Sequence, residues 1–520
     1  MPVFKLVITL LLVGAVLAAL ARRVNAPYPA LLALVGAGLA LLPNLPEVTL
    51  DPELALTLLV APVLLDAAFD SSPRDLKHNW RAVTGLALVA VGLTVAAVAI
   101  VARELLPGIP WPAAIALGAV VAPPDAAAAT AVLSQLRPPH RILVILQGES
   151  LFNDASALLI YRLAVAAAIT GSFGGWGAVP MLALVAAGSV ILGAAAARIS
   201  VWITPRITDV PTSVIIQFLS TFAVWMLAEE IHLSGILTVV VFAILVARQA
   251  PDLISARLRI QSYAVWEVVV FVLNVLAFIL IGLQLKPILA RLSGTELATY
   301  TTAAIAICGT VILVRIVWVM SYTGVARWGG AKVSTAAAAV VAWCGMRGIV
   351  TLAAALALPD GGVGAFPYRD FILFTAFSVV LVTLVVQGMT VGPLMKLVAL
   401  RDDGSVDREV RLARAETARA ALAAVDGASP VAAEGDGEMV GFLRRKYQAR
   451  LLRAEQGDGA LDPAEADGWR DFGNVQRRAY AEERRRLSEM RARGVIGDDA
   501  FHRVEEELDW AEVNAESRRL

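Results

Sequence analysis

Four polar residues, Glu149, Ser150, Asn153 and Asp154, fall within six positions of an apolar run, ILVILQGESLFNDASALLIY (142–161). On a helix, Glu149 and Asn153 stand one turn apart on one face, and Ser150 and Asp154 one turn apart on the next. Asp154 can therefore share an ion with the Ser150 hydroxyl, whereas Glu149 needs a positive partner of its own, with Asn153 bridging. A plain packing interface glued by polar side chains does not account for two acids and an amide in so short a run.

Other ionisable residues sit at comparable depth in apolar stretches, where charge is costly and marks function by default. LLVAPVLLDAAFD (58–70) carries Asp66 well inside and Asp70 near its end. AICGTVILVRIVWVM (306–320) carries Arg315, a natural partner for Glu149, since a guanidinium holds a buried carboxylate ionised. In ALGAVVAPPDAAAATAV (116–132), Pro123 and Pro124 lack an N–H and cannot continue a helix, so the chain must break there. Irregular backbone at that depth is tolerated where it lines a cavity. Asp125 follows the break, placed to cap a second half-helix; a kink with a capping Asp is the simpler alternative. AAVVAWCGMRGIVTLAAALAL (338–358) sets Arg347 between Gly345 and Gly348, a second weak point. Glu267 reads as an interface residue, Glu229 and Glu230 as solvated at a span end, and Arg162 and Arg198 as snorkelling side chains.

These residues need helices long enough to bury them. Of 520 residues, 58% are hydrophobic and 17% charged, and positions 401–520 hold 26 of the 44 acids and 21 of the 44 bases. The remaining 400 residues are far too poor in charge for a soluble domain. The chain reads as an all-α polytopic membrane domain over residues 1–400 and a soluble helical tail over 401–520. Zero net charge argues against a nucleic-acid surface. Two cysteines in apolar segments, Cys308 and Cys344, exclude a disulfide scaffold, and four scattered histidines form no ligand cluster. Long continuous apolar runs exclude a β-barrel. The first run, 6–20, lies between Lys5 and Arg22-Arg23 and reads as a span rather than a cleaved leader. No cofactor is called for.

Counting runs long enough to cross a bilayer gives about thirteen spans, near 4–21, 28–45, 54–71, 82–102, 111–134, 141–170, 176–203, 211–230, 232–249, 263–285, 298–325, 333–358 and 368–399. The eighth and ninth are separated by 230–234 alone. With thirteen spans, one set of loops carries thirteen bases (Arg22, Arg23, Arg74, Lys77, Arg81, Arg137, Arg141, Arg206, Arg248, Arg257, Arg259, Arg327, Lys332), and the other carries five (Lys5, Arg103, Lys286, Arg291, Arg369). The basic set faces the cytoplasm, which puts the N-terminus outside and the tail inside. In the tail, helices are expected near 407–425, 439–455 and 468–490, around a small-residue acidic linker at 426–438.

The two interrupted spans, fifth and twelfth, are seven apart. Two six-helix repeats joined by a linker span would be inverted and would place the breaks at matching positions, the best sequence pointer to a transporter site. If the broken helices cross, Asp125 suits the half-helix N-termini and Arg347 the C-termini.

At these residues a resemblance to a known family is evident. GESLFNDA (148–155) resembles the sixth-span signature of the monovalent cation:proton antiporter-1 family, the sodium/proton exchangers. AWCGMRGIVTLAAALA (342–357) is similar to that family's GxRG stretch, and PVLLDAAF (62–69) to its third-span acid segment. The resemblance covers roughly residues 1–400, and its length and tail suggest the bacterial branch. It implies that Asp154 binds cation or proton with Asn153 as its partner and Ser150 as a cation ligand. It implies that Asp125 and Asp66 are the other acids of the ion site, so that Asp154, Asp125, Ser150 and Asp66 would hold the transported Na⁺, and that Glu149 and Arg315 form a stabilising pair. Members commonly have Thr before the fifth-span Asp; here that position is Pro124. The resemblance further implies thirteen spans with crossed discontinuous helices, homodimers, and exchange of Na⁺, or Li⁺ or K⁺, for H⁺ across the plasma (inner) membrane, with a role in pH and cation homeostasis.

The residues themselves permit that chemistry, since proton and alkali cation would compete for one carboxylate among hard oxygens. The rivals are a K⁺/H⁺ antiporter and a proton-uncoupled cation channel, although no filter-like repeat is present. An intramembrane enzyme would need a nucleophile–base or metal constellation that the spans lack. Without a G-x-x-x-x-G-K-[ST] motif, ATP drive is disfavoured as well.

Overall fold

The structure is a computed structural model that describes residues 2–23, 26–42, 51–133, 136–170, 178–207, 209–330, 333–360, 366–427, 436–456 and 473–517. Among these there is helix and no strand. The linker call at 428–435, the start of the third expected tail helix at 468–472, and Lys332 lie outside the described residues. The chain divides into two units.

The first unit comprises 1–71, 79–253 and 265–402. Ten described helices are long and apolar enough to cross a membrane, from Pro52–Phe69 to Arg369–Leu397, and two shorter apolar helices, Val7–Ala21 and Tyr28–Ala40, precede them. With the interrupted pair Thr335–Trp343 and Ile349–Leu356, these occupy the thirteen runs read from the sequence. The eighth span ends at Glu230 and the ninth starts at Gly235. Local chemistry sets several of the starts. Asp209 caps the eighth span by accepting the Thr212 N–H at 3.0 Å. Ser293 and Glu296 form a reciprocal capping box on the eleventh. Ser334 accepts the Ala337 N–H at the head of the twelfth. The second and tenth spans approach backbone to backbone, because a Cβ on Gly282 would overlap Ala33 and Ala37.

The fifth span is helical over Trp111–Val121 and again over Ala126–Leu133, interrupted where the two prolines stand. The twelfth loses helical form over 344–348. The last span contains a π-helical turn, Thr383–Gln387, between Arg369–Val382 and Gly388–Leu397. Such turns add a residue to one coil and recur at functional sites. A core of small and branched residues joins the first half of the fifth span to the fourth, sixth, eleventh and thirteenth. It includes Val98, Leu117, Val121, Ala164, Val311 and Phe371.

The second unit comprises 72–78, 254–264 and 403–520. Its tail helices are Ser405–Asp426, Asp436–Gln456, Gly473–Ala492 and Asp498–Ser517. The first three overlap the expected segments. The fourth was not expected from sequence: its acid-rich surface masks an apolar seam of Phe501, Val504 and Leu508, buried with Tyr480, Leu487 and Met490. Two inter-span segments belong to the same unit. Arg74 pairs with Glu409 at 3.3 Å. Arg259, 2% exposed, pairs with Asp509 at 2.7 Å and Glu505 at 3.6 Å.

Candidate functional site

The sixth span is one uninterrupted helix, His140–Thr170, so its signature residues keep helical spacing. Glu149, Ser150, Asn153 and Asp154 are all buried, at 1%, 9%, 0% and 6% exposure. Across from it, Arg315 of the eleventh span places both terminal nitrogens on the Glu149 carboxylate, Nη1 on Oε1 and Nη2 on Oε2 at 2.7 Å. The same guanidinium donates from Nε and Nη2 to the Val341 carbonyl, at 3.3 and 3.2 Å. The charge is thus both paired and hydrogen-bonded, as a bidentate Arg–carboxylate pair away from water requires.

The other two signature residues meet the broken fifth span. The Ser150 hydroxyl accepts the Ala126 N–H at 3.2 Å. Asn153 Nδ2 donates to the Pro124 carbonyl at 2.9 Å. This differs from the expectation that Asn153 bridges to Glu149. Pro124 lies before the first turn of the second half-helix, so its carbonyl takes the amide, and among the described residues Arg315 is what satisfies Glu149. Asn153 Oδ1 is buried and has no hydrogen-bond partner among the described residues. Asp125 caps the second half-helix, its Oδ1 accepting the Ala127 N–H at 2.8 Å. Its carboxylate is close enough to Asp154 to act on it electrostatically.

The two interruptions face one another. The Asp125 N–H donates to the Met346 carbonyl at 2.7 Å. Arg347, 1% exposed, donates from Nε to the Val121 carbonyl at 3.0 Å and from Nη2 to the Ala122 carbonyl at 3.1 Å, and Nη1 reaches its neighbour's carbonyl at Gly345. Those fifth-span carbonyls end the first half-helix, where the dipole is negative and a cation is stabilising. One break therefore supplies a carboxylate to a half-helix N-terminus, and the other supplies a guanidinium to a half-helix C-terminus.

Among the described residues no hydrogen bond or ion pair joins Asp66 to this group; it is half-buried near the end of the third span, with the negative charges of Asp70 and Glu267 acting on it. Among the described residues, no three His, Cys, Asp or Glu side chains gather as a metal site would. Arg162 and Glu229, read as separate surface residues, pair at 2.6 Å near span ends, both substantially exposed.

Sequence reasoning found the last span but singled out no functional residue in it. Thr383 and Gln387 are fully buried one turn apart. The Thr383 hydroxyl accepts the Arg347 N–H at 3.1 Å, and neither amide atom of Gln387 has a partner among the described residues. A Thr and a Gln four apart in an apolar span were the available signal.

Comparison with known proteins is consistent with this geometry. The profile described as "Sodium/hydrogen exchanger, transmembrane" matches residues 7–397. An uncharacterised Na⁺/H⁺ exchanger of Mycobacterium tuberculosis is 31% identical over 98% of this chain and 96% of its own length. A sodium, potassium, lithium and rubidium/H⁺ antiporter of Bacillus pumilus is 30% identical over 76% of this chain and 62% of its own. The sodium proton antiporter MjNhaP1 of Methanocaldococcus jannaschii superposes with TM-score 0.63 at 19% identity, covering 76% of this chain and 98% of that one, which shows a shared fold. The chain belongs to the transmembrane sodium/hydrogen exchanger family and is a multi-pass membrane transporter, not an enzyme.

Proposed function

We propose that the protein is a secondary antiporter exchanging Na⁺ for H⁺, with Asp154 as the carboxylate that the two ions share. The observation that carries this reading is the setting of Asp154. It is buried one turn from Ser150, within the electrostatic reach of Asp125, at the meeting of two interrupted helices. Asn153 Oδ1 adds a buried acceptor without a partner, the kind of hard oxygen an alkali cation takes. Protonated, Asp154 carries no charge to hold a cation; ionised, it joins Ser150, Asn153 and Asp125 as an oxygen site. Only loaded forms cross, and rocking of one bundle against the other exposes the site to each side in turn. Asp66 belongs in this reading to the cation's path, and Arg347 and Asp125 balance the half-helix dipoles.

The fuller reading has the protein in the inner membrane as a homodimer, N-terminus outside and tail in the cytoplasm, serving pH and cation homeostasis. The name of the Bacillus relative, which includes potassium, lithium and rubidium, favours K⁺ and Li⁺ as second substrates. The test is collapse of an imposed pH gradient in sealed vesicles on adding Na⁺, Li⁺ or K⁺ in turn. Collapse by Na⁺ in wild type that is absent in Asp154→Asn supports the reading. Collapse by none of the three ions defeats it.

A further inference from the structure

The last span lies outside every motif read from the sequence, yet it holds the peptide unit on which the two broken helices meet. That unit joins Met346 to Arg347 within the non-helical stretch 344–348. Its carbonyl accepts the Asp125 N–H at 2.7 Å, and its N–H donates to the Thr383 hydroxyl at 3.1 Å. In a planar trans peptide these two groups point in opposite directions and cannot rotate independently. Thr383 and the backbone of Asp125 therefore grip one rigid plate from opposite sides.

Thr383 suits this task. Its hydroxyl proton is already given to the Val379 carbonyl at 2.8 Å, so the oxygen is oriented to accept. Thr383 is 0% exposed and opens the π-helical turn Thr383–Gln387. Without that acceptor, the Arg347 N–H would be an orphan in a water-poor interior, a loss the unwound strand could relieve only by moving. Two hydrogen bonds through one polarisable peptide also strengthen each other, so loosening one end weakens the other.

We infer that Thr383 is a positioning residue for exchange: by holding the Met346–Arg347 peptide, it fixes the height of Asp125 beside Asp154. The inference rests on the antiport reading and deepens it. The experiment compares Thr383→Val, which keeps shape and removes the acceptor, with Thr383→Ser, which keeps the acceptor. Purified protein in sealed vesicles gives the half-saturating Na⁺ concentration, the maximal rate and the pH profile of exchange. Thr383→Val is expected to raise the half-saturating Na⁺ concentration about tenfold and to move the pH profile, with Thr383→Ser within twofold of wild type. If valine prevents recovery of folded protein, Thr383→Ala is read in the same way. Val or Ala values within twofold of wild type, with an unmoved pH profile, overturn the inference. So does a serine variant as impaired as the valine one, because the volume rather than the hydroxyl would then matter. Wild type without cation-driven proton movement defeats the antiport reading instead, which separates the two failures.

Discussion

Gly348 leaves the space that the Asp125 carboxylate occupies: a Cβ built at position 348 would overlap Asp125 Oδ2 and crowd the rest of its side chain. The twelfth span thus gives up a side chain so that the fifth can keep an acid at the crossing. Gly348→Ala should displace Asp125 and lower exchange at least tenfold, while a melt in detergent moves little compared with the variants of the buried ion pair below. Wild-type exchange in Gly348→Ala would show that the carboxylate can settle elsewhere without loss.

If Na⁺ and H⁺ compete for Asp154, as proposed, that competition sets the pH dependence of exchange. Where protons outcompete the cation, apparent Na⁺ affinity should weaken by about tenfold per pH unit. At high pH the return step lacks a proton, so the rate at fixed, subsaturating Na⁺ should be bell-shaped. Cation-dependent proton flux at several pH values, with the membrane potential clamped, measures both. An affinity that stays constant across the active range would mean that the two ions do not share the carboxylate.

Removing one member of the Glu149–Arg315 pair strands the other's charge at 1–3% exposure. Glu149→Gln and Arg315→Ala should each cost about 3–5 kcal/mol, the range seen when buried pairs in soluble proteins are broken. The double variant Glu149→Gln/Arg315→Met should recover part of that loss. Melting curves in detergent decide the matter, and single variants that melt like wild type would leave the pair without a structural role.

Much of this site is legible in sequence because one helix fixes its own spacing. GESLFNDA places Ser150 and Asp154 on one face whatever surrounds them, a deep Glu149 calls for a guanidinium, and Pro123-Pro124 cannot be spanned by regular helix. What crosses from helix to helix is not legible in the same way. Whether Asn153 turns to Glu149 or to the Pro124 carbonyl depends on how two spans are rotated, and spacing along one of them does not report that. Thr383 escaped notice because it is one of four hydroxyl residues in its span, with Thr375, Ser378 and Thr390, and such a hydroxyl normally returns its proton to its own helix. It does so here as well, and its acceptor role exists only because another span has come unwound opposite it.

The tail carries a separate pH dependence. Glu483 is 0% exposed; Oε1 takes Arg450 Nη1 at 2.9 Å, and Oε2, like the nearby Tyr447 hydroxyl, has no partner among the described residues. Burial pushes this carboxyl up to about 7, against the pull of Arg450, Lys446 and Arg484. A folded-state value above the unfolded one means that the proton is bound more tightly in the folded tail. Glu483's own contribution to stability is therefore fully present below the unfolded value of 4.5 and is lost as pH rises through about 7. Protection factors of the amides over residues 473–492, taken relative to the base-catalysed exchange of an unfolded chain at the same pH, should fall between pH 5.5 and 8 in wild type. In Glu483→Gln that fall should largely disappear. Parallel slopes in the two proteins would place the titration elsewhere.

The pairs that build the second unit lie far apart along the chain: Arg74 and Glu409 by 335 positions, Arg259 and Asp509 by 250. During synthesis both arginines leave the ribosome long before their acids exist. Arg259 in particular must wait for the helix Asp498–Ser517, the last described in the chain. The second unit is therefore completed only once residues 498–517 have been made, after the spans that bracket its two inter-span segments. A chain stopped between Glu409 and Glu505 would keep the acid for Arg74 and leave Arg259 without either of the acids that it pairs with.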